Sequence, residues 1–222
     1  MSEPLPKIAV LGGTGAEGSG LAFRWAHAGH AVVLGSRSAD KAAVAARELG
    51  APNVTGASNA DAAAACDVAV LTVPFSAQLA TLAEVRDALA GKILIDVTVP
   101  LVPPKVSVVQ LPPEGSAAAR AQALLGGGVK VVAAFHNVSA HHLKDLGYRI
   151  DCDVLVCGDD AAARDQTVRL IAAAGMRGIH AGSLANAAAA EAMTSVLIWI
   201  NRRYKVPSAG IRITGLPEDT AG

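Results

Sequence analysis

The sequence predicts an α/β fold: a doubly wound, mainly parallel sheet with a small helical C-terminal module. Three observations carry this expectation. Short apolar runs alternate with Ala-rich helical stretches from Ile8 to His180, the pattern of βαβ units. The first apolar run breaks into glycines and then into a helical stretch, so strand, tight turn and helix follow one another directly. Hydrophobic residues make up 52% of the 222 residues and aromatic residues only 3%, so a large core is available and Ala, Val and Leu must fill it.

Taken in order, residues 8–11 have the length and branching of a buried strand, and residues 21–28 can wind as a helix. Residues 31–35 read as a second strand. Ser38 is a plausible N-cap for a helix over 38–49, which Gly50 and Pro52 stop. A helix over 59–65 leads into the near-continuous apolar strand 68–73, ended by Pro74. A helix over 77–89 precedes a strand over 92–96. Residues 97–115 are then kept irregular by Pro100, Pro103, Pro104, Pro112 and Pro113, and loops of this length are usually functional. Beyond them come a helix over 116–125, a break at Gly126 to Gly128, and a strand over 129–134. A short helix over 140–146, a strand over 153–157, a helix over 161–174 and a short strand over 178–180 follow. From Leu184 to Arg203 the pattern is long, Ala-rich and helical, so a boundary is placed near Gly182: residues 1–182 form one domain and 183–222 a small helical module.

The first turn carries the first functional signal. Gly13, Thr14, Gly15, Ala16, Glu17 and Gly18 spell G-x-G-x-x-G between a strand and a helix, the context in which this motif binds a dinucleotide in Rossmann-type folds. Gly13 would permit the tight turn, Gly15 the approach of a pyrophosphate to backbone N–H groups, and Gly18 close packing of helix on strand. The helix N-terminus would offer free donors and partial positive charge to the phosphates. At the end of the second strand, where an acidic residue selects NAD, stand Gly35, Ser36, Arg37 and Ser38, with Lys41 one turn on. No carboxylate is there to repel a 2′-phosphate, and Arg37 can fork onto one, so the preference is NADP.

Bulk properties exclude several classes. Nineteen basic and nineteen acidic residues give a net charge of zero, so nothing in it suggests nucleic acid or an anionic membrane as a partner. Cys66, Cys152 and Cys157 form no C-x-x-C, which favours reduced thiols over disulfides or zinc. With no signal pattern and no apolar run of bilayer length, a soluble cytoplasmic protein is expected.

Ligands in parallel sheets lie beyond the carboxyl ends of the strands. Val73, Pro74 and Phe75 would form an apolar wall under the nicotinamide, or else simply cap their strand. His136 and Asn137 are the polar pair best placed to meet a substrate. His136 would donate to a carbonyl or act as general acid, and a satisfied structural histidine is the alternative. His141 and His142 point about 100° apart on a helix, which argues against a shared metal. No nucleophile–base pair and no paired carboxylates stand out, which suits direct hydride exchange between two bound heterocycles.

Gly12 to Gly15 with Gly18, Gly35-Ser36-Arg37, Cys66 to Thr72, Val156 to Asp160, and Ala181 to Asn186 followed by Glu191 together resemble the NADPH:coenzyme F420 oxidoreductases. The likeness runs from Lys7 to about Leu197. It implies a dinucleotide-binding domain with a small C-terminal domain, a homodimer, and reversible hydride transfer between NADP(H) and a deazaflavin, ring stacked on ring. Thr14, Ala16, Glu17, Ser36, Arg37, Lys41, Val73 and Pro74 would then line the NADP site, and His136 would lie beside the second ring. The family pattern implies a basic residue shortly after the Leu-x-Asn of Leu184 to Asn186; this chain has Ala187, Ala188, Ala189 and Ala190. Two other readings stand beside this one: an NADP-dependent reductase of another flat heterocycle, such as a pterin or an imine, and a non-catalytic NADP-binding protein.

Overall fold

A computed structural model describes residues 4–217. Among them, eight strands form one sheet in the order β3-β2-β1-β4-β5-β6-β7-β8. They are β1 (Ile8–Leu11), β2 (Val32–Ser36), β3 (Val54–Ser58), β4 (Val68–Leu71), β5 (Ile93–Asp96), β6 (Lys130–Ala133), β7 (Asp153–Gly158) and β8 (Arg177–His180). All neighbours pair in parallel except β6 and β7, which are antiparallel. The chain starts at β1 in the middle, winds out to β3, then returns to β4 on the other side of β1. The gap where the winding reverses opens at the carboxyl ends of β1 and β4, the place where such sheets bind ligands.

Among the described residues, seven α-helices cover the sheet: α1 (Ala16–His27), α2 (Ala39–Glu48), α3 (Asn59–Ala65), α4 (Gln78–Val85), α5 (Ala117–Leu125), α6 (Ala161–Ala173) and α7 (Ala187–Tyr204). Alternation along β1 sends Ile8 and Val10 to one face and Ala9 and Leu11 to the other, all fully buried. Ile8 and Val10 pack with Leu21 and Trp25 of α1, Ala46 of α2 and Ile171 of α6. Ala9 and Leu11 pack with Ala62 of α3, Leu82 of α4, Leu125 of α5 and Ala187 of α7. Two cores on two faces make β1, β4 and β5 near-continuous apolar runs.

The mainly parallel α/β sheet is as expected, and several boundaries differ. β3 has no counterpart among the expected strands: Val54 is its one buried residue, and the others lie half-buried or exposed at the sheet edge. β4 stops at Leu71, and just beyond it the Thr72 N–H (2.9 Å) and hydroxyl (3.1 Å) both donate to the Leu11 carbonyl. Between 140 and 146 the chain makes a single 3-10 turn, Ala140–His142, and no α-helix. Here Arg24 of α1 explains the irregularity. Its buried guanidinium donates to the carbonyls of Leu143 (2.8 Å), Asp145 (2.8 Å) and His142 (3.1 Å), which converge on it from one turn, and to Ala174 (3.1 Å) at the end of α6. No helix among the described residues is long and apolar enough to cross a membrane.

Candidate active site

The glycine turn is built by contacts on every side. Gly12 leaves β1 with φ of +74°, a conformation that residues with a Cβ rarely adopt. Its N–H donates to Oδ1 of buried Asn59 at 3.2 Å, and the Gly13 N–H donates to the Gly35 carbonyl of β2 at 3.0 Å. A Cβ at Gly18 would come within 2.4 Å of the Thr72 hydroxyl and 2.8 Å of the Gly13 Cα, so α1 seats on β1 and β4 only with glycine there. Gly15 is different: the nearest atom to a Cβ there is the Gly12 carbonyl oxygen, at 3.9 Å. That side of the turn faces open space. No side chain caps α1, whose N-cap is Gly15, and the first N–H groups of a helix have no intrahelical acceptor. An uncapped helix start behind an open glycine is a cradle for an anion.

At the end of β2, Ser36 accepts from the Ser38 N–H at 3.3 Å, and Ser38 caps α2 through the Lys41 N–H. Arg37 and Lys41 are exposed, and their side chains make no hydrogen bond or ion pair among the described residues. These two cations are uncommitted beside the turn, and the residues present fit a dinucleotide with an extra phosphate.

Beyond the turn lies a cleft of about 600 Å³. Its walls come from three places: Gly15 to Glu17 of the turn, Thr72 to Ser76 after β4, and Val97 to Val99 after β5. The Pro-rich loop covers it with Leu101, Val102, Pro103 and Val106. The expected wall of Val73, Pro74 and Phe75 is therefore together with Gly15, Ala16 and Glu17 on one cavity. Arg120 lies over the Phe75 ring at 4.7 Å and props it from α5.

Thr14 is exposed at the tip of the turn, while Gly13 and Gly18 are buried beneath it. His136 and Asn137 do not line this cleft. His136 follows Phe135, which has φ of +69° although it is not glycine, a strained position at the end of β6. The His136 ring is buried, with neither nitrogen hydrogen-bonded. Burial lowers its pKa to about 4, against a smaller upward pull from the Asp96 main chain, so the ring is neutral at neutral pH. Asn137 gives its amide to the Asp153 carbonyl (2.6 Å) and the Cys152 sulfur (3.0 Å), and faces a separate cavity of about 240 Å³.

Sequence reasoning did not find the buried polar frame behind the cleft. Asp96, at the end of β5, accepts from Gln78 of α4 (2.6 Å) and from the Thr98 N–H (2.9 Å). Burial pushes its pKa up to about 6, with those donors pulling the other way. Glu191 of α7 accepts from the Ala117 (2.6 Å) and Ala118 (3.0 Å) N–H groups that open α5. Burial raises it to about 8, again against its donors. This frame fixes β5, α4, α5 and α7 to one another directly under the Pro-rich loop.

The family model for NADP oxidoreductase, coenzyme F420-dependent, matches residues 7–100, from β1 to the start of the Pro-rich loop. The F420-dependent NADP reductase of Methanothermobacter thermautotrophicus is 46% identical over 224 residues, covering 96% of each chain. That of Methanocaldococcus jannaschii is 39% identical over 222 residues, covering 95% of this chain and 99% of its own. The chain belongs to the F420-dependent NADP reductase family. A solved structure from Arthrobacter sp. FB24, provisionally described as an F420-dependent NADP-reductase, shares the fold with a TM-score of 0.80. It is 30% identical and covers 95% of this chain and 100% of its own. Family likeness thus runs through both the glycine turn and the α7 region.

Proposed function

We propose that this chain catalyses hydride transfer between NADP(H) and the deazaflavin coenzyme F420, as a cytoplasmic homodimer. The observation that carries the reading is the apolar cleft at the carboxyl ends of β1, β4 and β5, opening beside an anion cradle and two free cations. Family membership supplies the acceptor. Bound NADPH supplies the hydride and bound NADP+ accepts it. The chain's residues hold, orient and dry the partners.

In this reading the α1 start and Gly15 take the pyrophosphate, and Ser36, Arg37 and Lys41 take the 2′-phosphate. Val73, Pro74 and Phe75 seat one face of the nicotinamide ring, leaving the other to the acceptor. The Pro-rich loop excludes water, so proximity and orientation of the rings supply most of the rate. We assign His136, buried and neutral, to the deazaflavin side, and Asn137 to anchoring its segment on β7. Residues 183–222 are assigned to self-association and the acceptor site. α7 exposes Val196 and Trp199, and the loop that exposes Val108 and Val109 is tied to α7 by Ser195 and Arg202. Three unpaired, buried cysteines suit a reducing compartment.

Mixing the protein with NADPH and oxidised F420 should bleach the deazaflavin's visible absorbance; no turnover at any pH would contradict the reading. One observation favours a second acceptor alongside: no cation stands at Ala187 to Ala190, where the family pattern implies a basic residue. NADPH oxidation with a pterin or a cyclic imine, in place of the deazaflavin, tests for it.

A further inference from the structure

Among the described residues that line the cleft, Glu17 is the sole ionisable side chain; the other polar groups are the hydroxyls of Thr72, Ser76 and Thr98. Glu17 stands in the first turn of α1, at a position of the glycine motif that requires no particular side chain. Its Oε1 is buried and meets no donor. This sets it apart from Asp96 and Glu191, whose carboxyls each accept at least two hydrogen bonds. Glu17 is half-buried, and an acid oxygen buried without a donor is costly; desolvation pushes its pKa up to about 8. Of the charged groups on the surrounding elements, Asp96 is committed to Gln78 and Thr98, and Arg120 to the Phe75 ring. Thr72, Ser76 and Thr98 are uncharged. No hydrogen bond or ion pair among the described residues answers Glu17.

The ligand assigned to this cleft changes charge during its reaction: the oxidised nicotinamide ring is a cation and the reduced ring is neutral. We propose that Glu17 is a specificity-determining residue that reads this charge, pairing as a carboxylate with the nicotinamide cation and accommodating the reduced ring as a neutral acid. The inference rests on the NADP reading above. In a low-dielectric cleft a cation lowers the pKa of a facing carboxyl, whereas a neutral ring, by excluding more water, raises it. The pyrophosphate at the α1 start acts alike with both ligands, so the difference lies in the ring: with NADP+ bound, Glu17 holds its proton less tightly than with NADPH bound. By linkage the preference for NADP+ over NADPH grows as pH rises between the two pKa values. Below both, the carboxyl is neutral with either ligand, and the preference is flat.

The test is a pair of equilibrium titrations, NADP+ and NADPH, on the whole protein and on Glu17→Gln, with calorimetry in two buffers of different protonation enthalpy. In the natural protein the affinity ratio should move toward NADP+ by about tenfold or more between about pH 6 and about pH 9. NADP+ binding should release more protons than NADPH binding. In Glu17→Gln the ratio should stay flat and that difference vanish. The same pH dependence in both proteins, or equal proton release with both ligands in the natural one, would overturn the inference. The calorimetric result on the natural protein decides the matter even where the variant folds poorly. Failure of either nucleotide to bind at all would remove the NADP reading and this inference with it.

Discussion

Single residues separate binding from packing in the glycine turn. Gly15→Ala adds a methyl that meets nothing closer than 3.9 Å, in a backbone conformation alanine adopts readily. It should leave the melting temperature nearly unchanged and weaken NADPH binding about tenfold or more, because the methyl stands where the phosphate must approach. Gly18→Ala drives its methyl onto Thr72 and the Gly13 backbone, so it should cost roughly 1–3 kcal/mol of stability in denaturant unfolding. If Gly15→Ala also unfolds the protein, the turn is not the open cradle described. Arg37→Ala should weaken NADPH binding by roughly 2 kcal/mol while leaving NADH binding unchanged, since only the 2′-phosphate differs. The glycines, Ser36 and Arg37 were legible because each acts within a few residues of a strand end. Asn59 and Thr72 were not. They act on Gly12 and Leu11 across 47 and 61 residues of sequence, and no local pattern marks such contacts.

Elements were legible in proportion to their burial. β1, β4 and β5, covered on both faces, wrote apolar runs that stand out in the sequence. β3, Val54-Thr55-Gly56-Ala57-Ser58, is an edge strand with one buried residue and a glycine, so it carries no periodic signal. The segment 140–146, expected as a helix, departs for another reason. Arg24, whose place on a helix predicts solvent, is buried and takes that segment's carbonyls. Removing it strands several buried acceptors and the 142–145 turn. Arg24→Ala should therefore destabilise the fold by about 2–4 kcal/mol, and Arg24→Lys, which lacks the planar fork, by most of that amount. A loss below about 0.5 kcal/mol would show that solvent replaces the guanidinium without cost. The apolar cleft itself was only half legible: Val73 to Phe75 were expected in it, but the Pro-rich loop's Leu101, Val102 and Val106 were not, because irregular backbone gives side chains no period from which to read a face.

Charge and chemistry meet at the scale of the whole molecule. Glu17 and Glu191 both have folded-state pKa values near 8, raised from 4.5 by burial. The folded protein therefore holds protons that the unfolded chain has given up, and the stabilisation present at low pH is lost as pH climbs toward 8. His136 works in the opposite sense, since its pKa is lowered from 6.5 to about 4; its contribution is complete above about pH 6.5. Between about pH 6.5 and about 8 the two glutamates are left, so stability should fall by up to about 1.4 kcal/mol per pH unit for each. Glu17→Gln should remove roughly half of that slope in urea unfolding at several pH values. An unchanged slope would place the Glu17 carboxyl in solvent. Self-association is tested at the same scale: the protein should sediment at twice its 22.3 kDa chain mass, and Trp199→Glu should return it to one. A monomer in the natural protein would contradict the assignment of the α7 face.

Direct transfer between two stacked rings is the central claim, and isotope transfer tests it most directly. NADPH deuterated on one or the other face of the nicotinamide is mixed with the protein and oxidised F420 in ordinary water, and the reduced deazaflavin is weighed by mass spectrometry. One labelled face should deliver its deuterium to the deazaflavin, and the other should leave its label on NADP+. Reduction of F420 with no deuterium acquired from either face would contradict it.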